Sequence, residues 1–216
     1  VILGKNEKNQ YAVQVWETTP SVELIASHTS ASTEALYNFA TFSPNNQTIL
    51  VGGSLRGQKP GIAFLLPLDD LKPKTELRPI HLLAEEKPMG TLGAHDETVT
   101  CADFSPDGTL IITGSQDNYV RLWNKDDGTP ASDLLRDLHS ADLTSVAFDH
   151  SGGRFVTGSF DQTSIICDWL PKKRAAEKFA AFQTESVVRE AIFSPDDKNI
   201  AVGGSDGTAN VWDLGS

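Results

Sequence analysis

The apolar residues of this chain come in short runs, and none of those runs keeps a helical period. Four of them, TILVGGS (48–54), LIITGS (110–115), RFVTGS (154–159) and NIAVGGS (199–205), carry β-branched residues and reach a glycine near their end. Each is preceded by a block that punctuates the chain: FSPNN at 42, FSPDG at 104, FDHSG at 148 and FSPDD at 193. Pro, Asp, Asn and Gly in these blocks supply turn chemistry, so each unit reads as a strand, a tight turn and a second strand. The glycine marks a place where a side chain would crowd or the chain must bend. A third apolar run follows in three units: YVRLWN (119–124), TSIICD (163–168) and TANVWD (208–213). The predicted class is all-β, built from one repeated antiparallel unit.

Phe104, Phe148 and Phe193 open the last three units and recur at a nearly constant step, in the range of about 40 to 45 residues that makes a four-stranded propeller blade. The step from Phe104 to Trp123 equals that from Phe193 to Trp212, and from Phe148 it lands on Cys167. Counting from Gly114, Gly203 and Gly158 gives the same answer. Cys167 therefore stands in an aromatic slot and Asp168 in the acidic slot after it. Trp169 falls two residues late and is expected to start the outer connection. Cys167 and Cys101 read as small core side chains, because a nucleophilic thiol needs exposure and a cationic or basic neighbour.

With 216 residues, 39% of them hydrophobic, the chain can bury a substantial core. No run approaches the roughly 18 apolar residues of a membrane-spanning helix. The start, VILGKNEKNQ, has neither an initiator Met nor a signal-peptide pattern and reads as the interior of a longer chain. Lys plus Arg is 18 against 29 Asp plus Glu, a formal charge of -11 whose mean field repels phosphate backbones and anionic lipids. Neither nucleic acid nor a membrane is the expected partner. KKR at 172–174 is the one dense basic run and reads as a solvated loop. Two cysteines make no disulfide framework, so a reducing, cytoplasmic compartment is expected. Five scattered His and two Cys offer no metal-ligand spacing, and no cofactor is expected.

On these residues the sequence resembles the WD40 repeat family. The likeness is carried by AHDETVTCADFSPDGTLIITGSQDNYVRLWN (94–124), by its weaker copies and by SDGTANVWD (205–213). His, Phe-Ser-Pro, Gly-Ser, Asp and Trp recur there in fixed order, and the likeness is weakest over 1–35 and 67–90. It implies a WD40-type β-propeller with about five blades present and incomplete blades at both ends. A partial blade at 1–34 would supply its last three strands, with Trp16 in the aromatic slot. Blades follow at 35–96, with an insertion at 67–90, at 97–140 and at 141–184; 185–216 would give the first three strands of another. Rings of this family usually close on about seven blades, so other segments of a parent chain are expected to complete this one.

The resemblance also implies a buried hydrogen-bonded chain that fixes the register of three strands. Asp accepts from one ring nitrogen of His, the other nitrogen engages a hydroxyl, and the hydroxyl hydrogen reaches toward the indole. The full set falls at His95, Thr113, Asp117 and Trp123; His139, Thr157 and Asp161 keep three members and lose the Trp to Cys167. The last unit keeps Asp206 and Trp212 but has Thr184 and Val202 in the His and Thr places. The unit at 42–66 has none of the four, and Phe64 is expected in its aromatic slot. His95, Ser115 and Asp117 also permit a Ser/His/Asp hydrolase reading, for which the chain offers no nucleophile elbow or oxyanion hole.

By resemblance the chain is a non-catalytic scaffold for a protein or peptide, and its acidity suits a basic one. Contact positions on the face near the His fall at Leu36, Thr98, Asp142 and Val187, and at Gln116, Phe160 and Ser205. Phe160 is a large apolar side chain at an expected loop tip. The rival readings are a sensor or regulatory propeller fused to a catalytic domain outside this chain, and a propeller with a catalytic site in its channel. No recurring carboxylate pair or metal cluster favours the latter.

Overall fold

A computed structural model of the protein describes residues 1–5, 10–17, 23–29, 35–55, 61–68, 75–76, 80–81, 95–133 and 135–215. The strands of the first half are β1 (Ile2–Lys5), β2 (Tyr11–Glu17), β3 (Glu23–Thr29), β4 (Ala35–Phe42), β5 (Thr48–Leu55), β6 (Ile62–Pro67), β7 (Thr75–Glu76) and β8 (Ile80–His81). Those of the second half are β9 (Val99–Phe104), β10 (Leu110–Ser115), β11 (Val120–Asn124), β12 (Leu143–Phe148), β13 (Arg154–Ser159), β14 (Thr163–Leu170), β15 (Ala175–Gln183), β16 (Val188–Phe193), β17 (Asn199–Gly204) and β18 (Ala209–Asp213). They make five sheets, ordered β1-β2-β3-β7, β4-β5-β6-β8, β9-β10-β11, β12-β13-β14-β15 and β16-β17-β18. This is the arrangement of β-propeller blades.

The repeated unit is the hairpin β4-β5, β9-β10, β12-β13 or β16-β17. Its turn is left-handed at one equivalent position each time, with φ of 57° at Asn46, 70° at Gly108, 72° at Gly152 and 58° at Asp197. Register is equally constant: Phe42 faces Ile49, Phe104 faces Ile111, Phe148 faces Phe155 and Phe193 faces Ile200. Close packing excludes a side chain at Gly52, Gly114 and Gly158, at the far end of the second strand. A Cβ on Gly114 would lie 2.7 Å from Cys101 Sγ and 2.9 Å from Leu143 Cβ of the next sheet.

The core is a series of layers between successive sheets. Val13 and Val15 meet Ile49, Val51, Phe64 and Leu66. Leu50 and Leu65 meet Phe104, Ile111 and Trp123. Ile112 and Leu122 meet Phe148, Phe155 and Cys167, and Val156 and Ile166 meet Ala191, Phe193 and Ile200. Burying one such side chain stabilises by about 1.5–3 kcal/mol before ordering costs.

Each inner strand also carries a bulge, which leaves Asn38, Thr100, Thr144 and Arg189 outside the ladder. A bulge re-aims the side chain it frees. Asn38 Nδ2 donates to the Val99 carbonyl of the next sheet at 3.3 Å, and Thr100 Oγ1 donates to the Leu143 carbonyl at 2.7 Å. Asp103 adds a third tie, its Oδ2 accepting from the Phe148 amide at 2.9 Å.

Several elements differ from the sequence expectation. Among the described residues between β11 and β12 there is no fourth ladder strand; they meet β11 at the isolated bridges Trp123 to Pro130 and Val120 to Leu135. Pro130 has no N–H to give, and Asp127 holds the preceding turn by accepting from the Thr129 amide at 2.9 Å. The 67–90 insertion does not stay with one blade. Thr75–Glu76 pairs in parallel with β3 of the first sheet, while Ile80–His81 pairs with β6 of the second. Residues 69–74, 77–79 and 82–90 of that insertion lie outside the described residues. Trp169 is not in a connection; it belongs to β14, opposite Ala176.

Candidate functional site

In the third sheet, His95 is fully buried between the strands it serves. Its Nδ1 lies 2.9 Å from Asp117 Oδ2 and its Nε2 2.7 Å from Thr113 Oγ1, and the Trp123 indole donates to that same oxygen at 2.9 Å. Proton directions follow from the one group with no choice, because an indole nitrogen only donates. Thr113 Oγ1 accepts from Trp123 and gives its own proton to His95 Nε2, so Nδ1–H points at Asp117. The hydroxyl hydrogen thus faces the imidazole, not the indole, which corrects the direction expected from the sequence.

Desolvation lowers the His95 pKa, outweighing the attraction of Asp117, and keeps the ring neutral. For Asp117 burial opposes the charged form. Bonds from His95 and the Tyr119 amide, with the charge of Arg121, outweigh it and hold the carboxyl below its usual value. Asp117 also accepts from the Asp96 amide at 3.0 Å, which locks the entry to β9.

The fourth sheet repeats the arrangement. His139 Nδ1 is 3.0 Å from Asp161 Oδ2 and Nε2 is 2.7 Å from Thr157 Oγ1. Burial lowers the His139 pKa as it does that of His95. Cys167, opposite Phe155, is fully buried, and desolvation pushes its thiol up to about 12. Trp169 is two residues on, hence on the same face, and it packs into the same core layer, taking volume an indole at 167 would fill. Cys101 is likewise pushed up to about 12 by burial.

The fifth sheet dispenses with the network. Thr184, in the His place, is buried and its hydroxyl contacts the Gln162 and Ser186 carbonyls at 2.8 and 2.7 Å; Val202 is buried and Asp206 exposed. In the second sheet Leu66, not Phe64, stands opposite Ile49 in the register of Trp123. Phe64 lies opposite Val51, in the polar network's position, and packs 5.5 Å from both Tyr37 and His28.

The hydrolase reading fails on geometry. Both ring nitrogens of His95 are engaged by Asp117 and Thr113, and the fully buried Ser115 donates to the Glu97 carbonyl at 3.1 Å. No group of three His, Cys, Asp or Glu able to hold a metal is found among the described residues.

The seven surface positions singled out in the sequence lie where the inner hairpins end. The Gln116 amide donates to the Thr98 carbonyl at 3.0 Å, Phe160 to Asp142 at 2.9 Å and Ser205 to Val187 at 2.8 Å. Gln116 Nε2 crosses to Asp142 Oδ2 of the next sheet at 3.3 Å. Phe160 is 45% exposed, with the Arg189 guanidinium 5.4 Å from its ring. Leu36 pairs with Ser54 inside the second sheet, and no hydrogen bond among the described residues ties it to the other six. Nothing in the strand pattern signalled the bulge residues Asn38 and Thr100, since their bonds join sheets far apart in sequence.

Comparison with known proteins places this geometry. The family model for the WD domain, G-beta repeat, matches residues 86–124, 133–168 and 180–213, just over half of the chain. Pre-mRNA-processing factor 19 of Caenorhabditis elegans is 25% identical over 130 residues, 60% of this chain and 26% of that protein. A guanine nucleotide-binding protein subunit beta of Arabidopsis thaliana is 26% identical over 178 residues, 80% of this chain and 43% of that one. Autophagy-related protein 16 of the same plant is 30% identical over 119 residues, 51% of this chain and 22% of that protein. The chain thus spans less than half the length of each of these relatives. With the repeated hairpins, the layered sheets and the family match in agreement, the chain belongs to the WD40 repeat family.

Proposed function

We propose that this chain is a non-catalytic scaffold that binds a basic segment of another protein at the mouth bearing Gln116, Asp142 and Phe160. The observation that carries it is the exposed Phe160 ring beside the Gln116 to Asp142 bridge, an apolar anchor flanked by a carboxylate at the seam of two sheets. Thr98, Val187, Ser205 and Leu36 form the rim of the same surface in this reading. Arg189 covers one side of Phe160, so a basic side chain of the partner meets Asp142 while its apolar neighbour meets the open edge of the ring. The net charge of -11 raises the rate at which a basic partner arrives. A reducing, cytoplasmic setting belongs to the proposal.

Further sheets from a parent chain complete the ring in this reading. What supports it is the row Ile192, Ala201 and Val211 on the fifth sheet, where Ile192 is 47% and Val211 68% exposed. The equivalent row of the fourth sheet, Ala147, Val156 and Ile166, packs under the fifth.

The test is a quantitative pull-down with wild type and a Phe160→Ala, Asp142→Lys variant that melts normally. Loss of the partners whose retention is salt-sensitive is expected. Recovery of the same partners with the same salt dependence overturns this surface as the site and moves attention to the 67–90 insertion.

A further inference from the structure

The bulge in β16 leaves Arg189 outside the ladder, since Val188 faces Gly204 and Glu190 faces Gly203. Its counterparts Asn38 and Thr100 give their freed side chains to a carbonyl of the next sheet. Arg189 turns the other way, back toward the fourth sheet, and sets its guanidinium 5.4 Å from the centre of the Phe160 ring. That lies inside the reach of about 6 Å for attraction between a cation and an aromatic face. The side chain is exposed and makes no ion pair among the described residues.

Phe160 is tied in turn to Asp142, whose carbonyl accepts from the Phe160 amide at 2.9 Å and whose Oδ2 accepts from Gln116 Nε2 of the third sheet at 3.3 Å. A carboxylate, an exposed ring and a guanidinium therefore follow one another as the mouth is traced from the third sheet to the fifth.

The surrounding connections have the opposite sign to Arg189. Those at this end of the third, fourth and fifth sheets are 95–98, 116–119, 139–142, 160–163, 184–187 and 205–208; each contains Asp or Glu, and none contains Lys or Arg. Asp117 and Asp161 are engaged by the histidines, while Asp96, Glu185 and Asp206 are exposed. Arg189 thus brings a cation from a strand into an acidic rim, and it does so against the apolar anchor.

That placement bears on what the mouth can accept. With the ring bare, a segment carrying two adjacent cations would be favoured, one taken by Asp142 and the other by the face of Phe160, with the acidic rim drawing in both. With Arg189 over the ring, the second cation meets a like charge at the very place it would stack. An apolar side chain meets no such repulsion. Discrimination of this kind comes from a built-in clash with the wrong partner as much as from attraction to the right one.

We propose that Arg189 is a specificity-determining residue of the mouth: it admits a segment with a cation at Asp142 and an apolar side chain at Phe160, and turns away a segment with cations at both places. This rests on the reading of the mouth as a site for a basic segment, which it narrows. The experiment is fluorescence polarisation of the whole chain against two position-degenerate peptide pools, one with a fixed Arg–Leu pair in either order and one with a fixed Arg–Arg pair. The wild type is expected to bind the Arg–Leu pool about threefold tighter, although the general field of the chain favours the more basic pool. In Arg189→Gln the Arg–Arg pool is expected to bind at least as tightly as the Arg–Leu pool, and in Arg189→Glu more tightly. Equal binding of the two pools by the wild type, tighter binding of the Arg–Arg pool by the wild type, or a preference that survives unchanged in Arg189→Gln overturns the proposal. The wild-type comparison needs no variant, so a folding defect in Arg189→Gln leaves it decisive. The Phe160→Ala, Asp142→Lys variant separates the two failures. If it loses the Arg–Leu pool while the preference is missing, the mouth stands and Arg189 has no part in selection; if it keeps that pool, or if the wild type binds neither pool, the mouth itself is wrong and the proposal falls with it.

Discussion

At the scale of single residues, the two buried histidines decide how this protein responds to acid. Burial lowers the pKa of His95 and of His139, while an unfolded histidine takes its proton near about 6.5. The unfolded chain therefore binds more protons below that pH, and stability falls as the pH drops through it. Asp117 and Asp161 are held below their usual values, so their contribution is present above about 3.9 and is lost as the pH falls through the depressed folded values. Both effects run in the same direction. Melting temperature is expected to fall between about pH 7.5 and 5.5, and a His95→Gln, His139→Gln variant is expected to fall less over that interval. The variant should start lower, since each change leaves buried partners unsatisfied at about 1–3 kcal/mol. Scanning fluorimetry across the pH series is the check, and an unchanged pH slope would remove the histidines as its source.

At the scale of elements, the hairpin turns carry the sharpest local requirement. The turn after the second strand is left-handed at Asn118, at Gln162 and at Gly207, with φ of 68°, 68° and 84°. Only the last has the residue that accepts this without strain. Gln162→Gly is therefore expected to stabilise by about 0.5 kcal/mol, the relief of strain being partly offset by the freer unfolded chain. The opposite change at Gly158 brings a new Cβ 2.5 Å from Val188 Cγ1 and 2.7 Å from Ser145 Oγ. Gly158→Ala is expected to cost about 1–3 kcal/mol by overpacking the joint. Urea titration of the pair reads both signs, and a stabilising Gly158→Ala would mean that the joint can open without cost. The turns and the step from Phe104 to Trp123 are legible in the sequence because both are set within one hairpin. Leu66 was not legible as the residue in register. A longer β5-β6 connection shifts the pairing, and only the ladder shows by how much.

At the scale of the whole molecule, the protein is a chain of joints between neighbouring sheets, so a local change should be felt by two sheets and not by five. Thr100 tests this. Its hydroxyl spans from β9 to the Leu143 carbonyl of β12, at the bulge that frees it from its own ladder. Thr100→Val keeps the shape and removes that bond, and is expected to cost about 1–2 kcal/mol. Hydrogen exchange should speed up together in β9 and β12 while β17 is unaffected; equal loss of protection everywhere would mean that the sheets unfold as one unit. The proposed binding surface belongs to this scale too, since the mouth at Phe160 is assembled from two sheets.

The sequence alone determined the repeating hairpin, its turn, the glycine at its end and the aromatic or cysteine that closes the third strand. These features arise within about 40 residues of contiguous chain, where strand alternation and turn chemistry leave few choices. Candidates for the buried polar groups were readable for the same reason, as fixed spacings along one unit. What only the tertiary structure decided lies between units: the bulge residues that bond the next sheet, Trp169 filling space beside Cys167, and the insertion divided between two sheets. Those depend on which distant residues are superposed when sheets stack, and the period of a single strand carries no record of its neighbour's side chains. The third sheet shows the limit most clearly. Its residues fit the family pattern best, yet among the described residues the segment after β11 meets that strand at two isolated bridges and not in a ladder, the first of them at Pro130, which has no N–H to give.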